Sequence, residues 1–95
     1  NIFVSSMDNN VYSVDRSTGK EVWHYQTGGP LVATPLLLEK NLYFGSLDNS
    51  FYSIDSRSGR FKKSYATSDG IYSTASTSNG NIYFGSNDTY LYAVK

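Results

Sequence analysis

Short apolar runs separated by polar clusters fill the whole chain, and almost no window keeps apolar residues at helical spacing. The runs Ile2-Phe3-Val4-Ser5, Leu42-Tyr43-Phe44-Gly45 and Ile82-Tyr83-Phe84-Gly85 each read as a strand. Each is followed, after a short polar turn, by a second strand: Val11–Val14, Phe51–Ile54 and Leu91–Val94. Such a pair is a hairpin. A third strand is expected over Glu21–Gln26 and Phe61–Ala66, and a fourth over Leu31–Leu38 and Ile71–Thr77. The strands do not alternate cleanly between apolar and polar, so Ile2-Phe3-Val4 and Leu42-Tyr43-Phe44 need cover on both faces.

The pattern repeats every forty residues without a gap. Asn1, Asn41 and Asn81 align, as do Ser6, Ser46 and Ser86; Asp8, Asp48 and Asp88; and Tyr12, Tyr52 and Tyr92. Rows 1–40 and 41–80 share eleven identities in forty, where chance gives about two or three, and residues 81–95 begin a third row. Four short strands per forty residues is the spacing of a propeller blade. The fold class is therefore all-β: an arc of four-stranded blades, about two and a half in residues 1–95, expected to belong to a larger propeller. Stacked blades supply the cover that two-sided apolar strands require.

Between the second and third strands lies the stretch Ser13–Trp23, with a turn whose chemistry is readable. Asp15 can accept hydrogen bonds from the forward amides of Ser17 and Thr18, and Gly19 releases the turn. Asp55 and Gly59 repeat it, but Lys63 stands where Trp23 stood. In the hairpin turns, Asn9 and Asn49 tolerate positive φ whereas the β-branched Thr89 resists it, so the third hairpin is expected to turn differently.

Charged residues make up 17% of the chain and cancel to zero, which argues against a nucleic-acid groove or a polybasic membrane patch, both of which accumulate like charge. With no cysteine, neither a disulfide framework nor a thiolate metal site can form. The longest apolar run, Leu36-Leu37-Leu38, is far short of a membrane span.

These rows resemble the pyrroloquinoline-quinone-type propeller repeats, whose signature runs small-x-Asp-x-x-Thr-Gly-x-x-x-Trp. Ser13, Asp15, Thr18, Gly19 and Trp23 match it, with Ser for the usual Ala; the second copy keeps Asp55 and Gly59 and has Ser58 for Thr. The upstream Tyr-x-Gly-Ser-x-Asp-Gly-x-Leu-Tyr pattern is echoed by Tyr43, Gly45, Ser46, Asp48, Phe51 and Tyr52, and again by Tyr83, Gly85, Ser86, Asp88, Leu91 and Tyr92. The resemblance implies that Trp23 docks against the neighbouring blade, which Lys63 cannot do. It places Leu31–Leu38 and Ile71–Thr77 innermost, and the strands around Trp23 and Lys63 outermost. The chain would then hold three strands of one blade, four of a second and three of a third.

The family's quinoprotein dehydrogenases hold quinone and calcium at the ring centre, with an Asp as base. Nothing in this sequence reproduces that ligand set. Asp8, Asp48, Asp88, Asp15 and Asp55 recur with the period, as turn residues do and a single central site does not. No catalytic, metal or cofactor-binding residue is assigned. His24 has no second histidine for a metal and reads as a surface or inter-blade residue. Arg57, Arg60, Lys62 and Lys63 read as a solvated face, and Asn87-Asp88-Thr89 as a chance glycosylation triplet.

The expected function is a non-enzymatic binding or scaffold segment, in the periplasm, at the cell surface or secreted by family resemblance, with no nucleic-acid partner. Its partner would be another protein or a second copy, met through loops and open blade faces; an isolated chain would form a homo-oligomer. Val4, Val14, Phe84 and Val94 are the apolar side chains expected on those faces. The rival reading is a piece of a quinone-dependent dehydrogenase, with the quinone and calcium as cofactors. A further rival is a carbohydrate binder that stacks sugars on Tyr.

Overall fold

The computed structural model describes residues 1–87 and 91–94; Asp88, Thr89, Tyr90 and Lys95 lie outside the described residues, and with them the expectation for the third hairpin turn. Ten strands are described, all antiparallel: β1 (Ile2–Ser5), β2 (Asn10–Val14), β3 (Glu21–Gln26), β4 (Leu36–Leu38), β5 (Asn41–Gly45), β6 (Ser50–Asp55), β7 (Phe61–Ala66), β8 (Ser76–Ser78), β9 (Asn81–Gly85) and β10 (Leu91–Val94). They form three sheets in the orders β1-β2-β3, β4-β5-β6-β7 and β8-β9-β10. This is the expected three, four and three strands of successive blades, with β4 and β8 at one edge and β3 and β7 at the other. No helix among the described residues is long and apolar enough to cross a membrane.

Two apolar cores lie between the blades. Val11, Trp23 and Leu31 meet Leu42, Phe44 and Ile54 between the first and second blades. Tyr43, Phe51 and Ile71 meet Ala75, Ile82 and Phe84 between the second and third, where the Phe51 and Phe84 rings stack 3.8 Å apart. The middle blade is thus covered on both faces, and Leu42, Tyr43, Phe44 and Gly45 of β5 are all buried. Its sequence lacks alternation because both faces of its pleat are core.

Two expectations need correction. The fourth strand is much shorter than Leu31–Leu38 or Ile71–Thr77, covering only Leu36–Leu38 and Ser76–Ser78. The residues before it bond between blades instead: the Leu31 amide donates to Ser6 O at 3.1 Å, the Leu47 amide to Pro30 O at 2.9 Å, and the Ile71 amide to Ser46 O at 3.4 Å. Backbone groups committed to a neighbouring blade are unavailable to a ladder, and Pro30 and Pro35 have no amide to offer. The second correction concerns the outer faces. Phe84 is 1% exposed, and Val94 packs partly buried against the core between the second and third blades. Strand alternation sends Phe84 and Val94 inward and Leu91 outward at 75% exposure. On the first blade Val4 is exposed as expected, beside Ile2, while Val14 is half-buried.

Candidate functional site

The joint between the first two blades gathers most of the motif residues. Asp15 Oδ1 accepts the amides of Ser17 at 2.7 Å and Thr18 at 3.0 Å, and Asp55 Oδ1 those of Arg57 at 2.8 Å and Ser58 at 3.0 Å. These amides hold both carboxyls below their ordinary value. Thr18 Oγ1 accepts the Lys20 amide at 3.2 Å, and Ser58 does the same for Arg60 at 3.3 Å, which explains why Ser substitutes there. The turns then reverse at Gly19 (φ 74°) and Gly59 (φ 75°), in the left-handed region where a side chain is strained.

Trp23 leaves the outer strand β3 and lies across the second of these turns. It is 8% exposed, its Nε1 donates to Ser56 O at 3.2 Å, and its ring sits 6.0 Å from that of Phe3. A Cβ built on Gly59 would come within 2.7 Å of the indole, whereas one on Gly19 meets nothing within 4 Å. Gly59 is therefore required twice, by its φ and by the indole. Gly19→Ala is expected to cost about 1 kcal/mol for its φ alone. Gly59→Ala should cost about 3 kcal/mol, because the ring must also move. Chemical denaturation of the pair measures the difference, and equal losses would show that the indole does not rest on this turn. Ser13 pairs with Trp23 in the ladder and is fully buried. Lys63 occupies the corresponding place on β7, exposed, with its Nζ 5.9 Å from the Tyr65 ring centroid.

A second joint lies at the opposite end of the blades; the sequence assigned its Asp48 to a turn but gave Thr27 and Ser46 no role. Thr27 Oγ1 and Ser46 Oγ lie 3.0 Å apart and both reach Gly29 O, at 2.7 and 3.0 Å. Asp48 Oδ2 accepts the Gly28 amide at 2.9 Å across the blades, while Oδ1 accepts the Ser50 amide at 3.0 Å. The recurrence of Ser6, Ser46 and Ser86, and of Thr27 and Thr67, was the available signal, since Thr67 and Ser86 contact Asp69 O in the same way at 2.6 and 3.0 Å. Asp8 and Asp48 also accept from Tyr12 and Tyr52 of their own hairpins. Burial and then the Asp48 carboxylate push the Tyr52 phenol well above its usual value; the Tyr12 hydrogen bond lowers Asp8. The periodic tyrosines described at 12 and 52 thus spend their hydroxyls inside the hairpin.

A calcium-and-quinone centre requires several carboxylate and amide oxygens free to converge on one ion. Asp8, Asp15, Asp48 and Asp55 instead point into separate turns, and among the described residues no three acidic, His or Cys side chains cluster. The described carboxylates, engaged in that way, do not form the ligand set of such a centre. His24 is exposed on β3 and bonds Glu21 at 2.8 Å. A groove of about 390 Å³ runs along the open edge of β1, bounded by Phe3, Ser5, Met7, Leu31, Val32 and Pro35. Its walls offer no ionisable group.

Several solved structures share this arrangement. BamB from Moraxella catarrhalis superposes with a TM-score of 0.85 at 21% identity, over 96% of this chain and 29% of its own. The quinohemoprotein alcohol dehydrogenase ADHIIG from Pseudomonas putida HK5 gives 0.86 at 19% identity, over 96% and 17%. The WD40 β-propeller domain of Doa1 gives 0.86 at 22% identity, over 96% and 31%. At such identities the likeness shows the β-propeller fold, and the chain spans only a fraction of each relative's length. No curated protein matches the sequence. The family described as outer membrane protein assembly factor BamB matches residues 1–95. Its propeller arc and its recurring Asp-to-Gly turns agree with that match from end to end, and the chain belongs to this family of pyrroloquinoline-quinone-like repeats.

Proposed function

We propose that this chain is a non-enzymatic scaffold segment of a cell-envelope or secreted propeller, binding another protein through its loops and open sheet faces. The observation that carries the reading is the match of the BamB family over residues 1–95, in a chain whose recurrent carboxylates are all engaged by turns where they are described. Carboxylates engaged in that way build rigid joints, and rigid joints suit a platform for partners. The dehydrogenase reading draws on the likeness to the quinohemoprotein enzyme, of which only 17% is covered, and would place the ligand set in other blades. Titration of the chain with pyrroloquinoline quinone in the presence of calcium, followed by absorbance, separates the two. No saturable binding is expected; saturation at low micromolar quinone would overturn the scaffold reading.

Self-association is the second expected consequence. Ile2 and Val4 on the first blade and Leu91 on the third are 47%, 44% and 75% exposed, and they occupy faces that in the middle blade are covered. Apolar faces of this kind seek cover, and a second copy offers the same blade-on-blade surface. Light scattering over a dilution series is expected to show an oligomer at micromolar concentration. A monomer persisting near millimolar concentration would refute it.

A further inference from the structure

The basic residues have a different meaning once the strands are folded. Strand reversal sends alternate connections to opposite ends of each sheet. One end collects residues 5–10, 26–35, 45–50 and 66–75, which contain Asp8, Asp48 and Asp69 and no Lys, Arg or His. The other end collects the turns leading into β3, β5 and β7, with Arg16, Lys20, Lys40, Arg57, Arg60 and, one residue into β7, Lys62. The zero net charge of the chain is therefore unevenly distributed: the first end carries acids without cations, while six cations share the second end with Asp15, Glu21, Glu39 and Asp55.

Acidic residues also occur at the basic end, and most of them are engaged by turn amides or by His24. Asp15 and Asp55 accept turn amides and Glu21 pairs with His24, while Asp55 also lies within electrostatic reach of Lys62 and Glu39 stands beside Lys40. Lys40, Arg57 and Arg60 are exposed and join no ion pair among the described residues. The turns carrying them abut, since the Ser56 amide donates to Lys40 O at 2.9 Å, and Lys62 Nζ bonds Asn41 Oδ1 in the same turn region. Phe61, 52% exposed, lies in sequence between Arg60 and Lys62.

We propose that this end of the second blade is a docking surface for the phosphate plane of an anionic lipid bilayer. Lys40, Arg57 and Arg60 stand exposed on abutting turns, with Lys62 at the start of β7, so the positive charge is spread over several side chains and complements an extended anionic surface. The hollow of about 330 Å³ beside them, bounded by Glu39, Lys40, Asn41 and Lys62, has a carboxylate in its wall, which disfavours capture of a single anion. Each cation near a charged bilayer adds attraction that is lost within a screening length, and the exposed part of the Phe61 ring, which stacks on Tyr25 of β3, adds apolar surface at this end. The inference is independent of the scaffold reading, because it uses only the charges of a blade whose four strands are all present.

Vesicle flotation tests it. The chain is expected to float with phosphatidylcholine vesicles containing phosphatidylglycerol and not with phosphatidylcholine alone. Salt at about 0.5 M should release it. The double variant Arg57→Glu, Arg60→Glu should bind about tenfold less with an unchanged melting midpoint, while Arg57→Lys, Arg60→Lys should bind like the parent. Absence of flotation, equal flotation with both vesicle types, or undiminished binding by the glutamate variant would overturn the proposal. Retention on immobilised polyglutamate without flotation would overturn it too, by assigning the surface to an acidic protein.

Discussion

A chain carrying Trp23→Lys is expected to lose about 3 to 5 kcal/mol of stability, the range for removing a large buried aromatic side chain. Trp23 is 8% exposed and fills the space between its own blade and the Ser56–Gly59 turn of the next. Lysine would empty that space, leave Ser56 O without its indole donor and desolvate part of a charged side chain. For a domain of this size the loss corresponds to a melting midpoint about 15 °C or more lower, a large fraction of its total margin. The substitution is informative because Lys63 already occupies the equivalent place forty residues later, exposed on β7. A thermal melt of the variant decides the matter: an unchanged midpoint would mean that the indole contributes nothing to holding the blades together.

Gly45→Ala is expected to cost about 3 kcal/mol, at the upper end of the usual range for overpacking a core. The added Cβ would lie 2.2 Å from Ile71 Cγ2 and 2.6 Å from Ile71 Cβ. Ile71 is fully buried, and its branch at Cβ sits too near its own backbone to swing away. The first blade shows the compensating arrangement: where the second row has Gly45 and Ile71, the first has Ser5 and Leu31, a side chain opposite a residue that branches one carbon further out. Gly45→Ser combined with Ile71→Leu should therefore be markedly more stable than Gly45→Ser alone. Denaturant midpoints for the single and double variants test this, and additive losses would show that the two positions do not oppose each other.

The forty-residue period made the strands legible, since β3 and β7 were bounded to the residue and the hairpins to within one residue. Asp15, Asp55, Gly19 and Gly59 were readable because their bonds are local: a carboxylate reaching two and three residues forward depends on little beyond its own turn. The Thr27–Ser46–Gly29 joint was not readable, although Thr27 and Ser46 recur, because its bonds run between blades nearly half a period apart in sequence. The inner strands were overextended for the same reason. Leu31 and Ile71 are apolar and strand-like, but their amides serve the neighbouring blade.

By itself the sequence determined the all-β class, the blade period and the turn chemistry, because each follows from periodicity or from contacts within a few residues, and its motifs carried the resemblance to a repeat family. Only the tertiary structure decided which side chains are core and where the charge lies. Phe84 is buried and Leu91 is not, although both are apolar strand residues, because the second blade covers one face of that sheet and the pleat points them to opposite sides. The balanced charges of the composition became an acidic end and a basic end because antiparallel strands carry alternate turns to opposite edges, a sorting that a count of residues cannot contain.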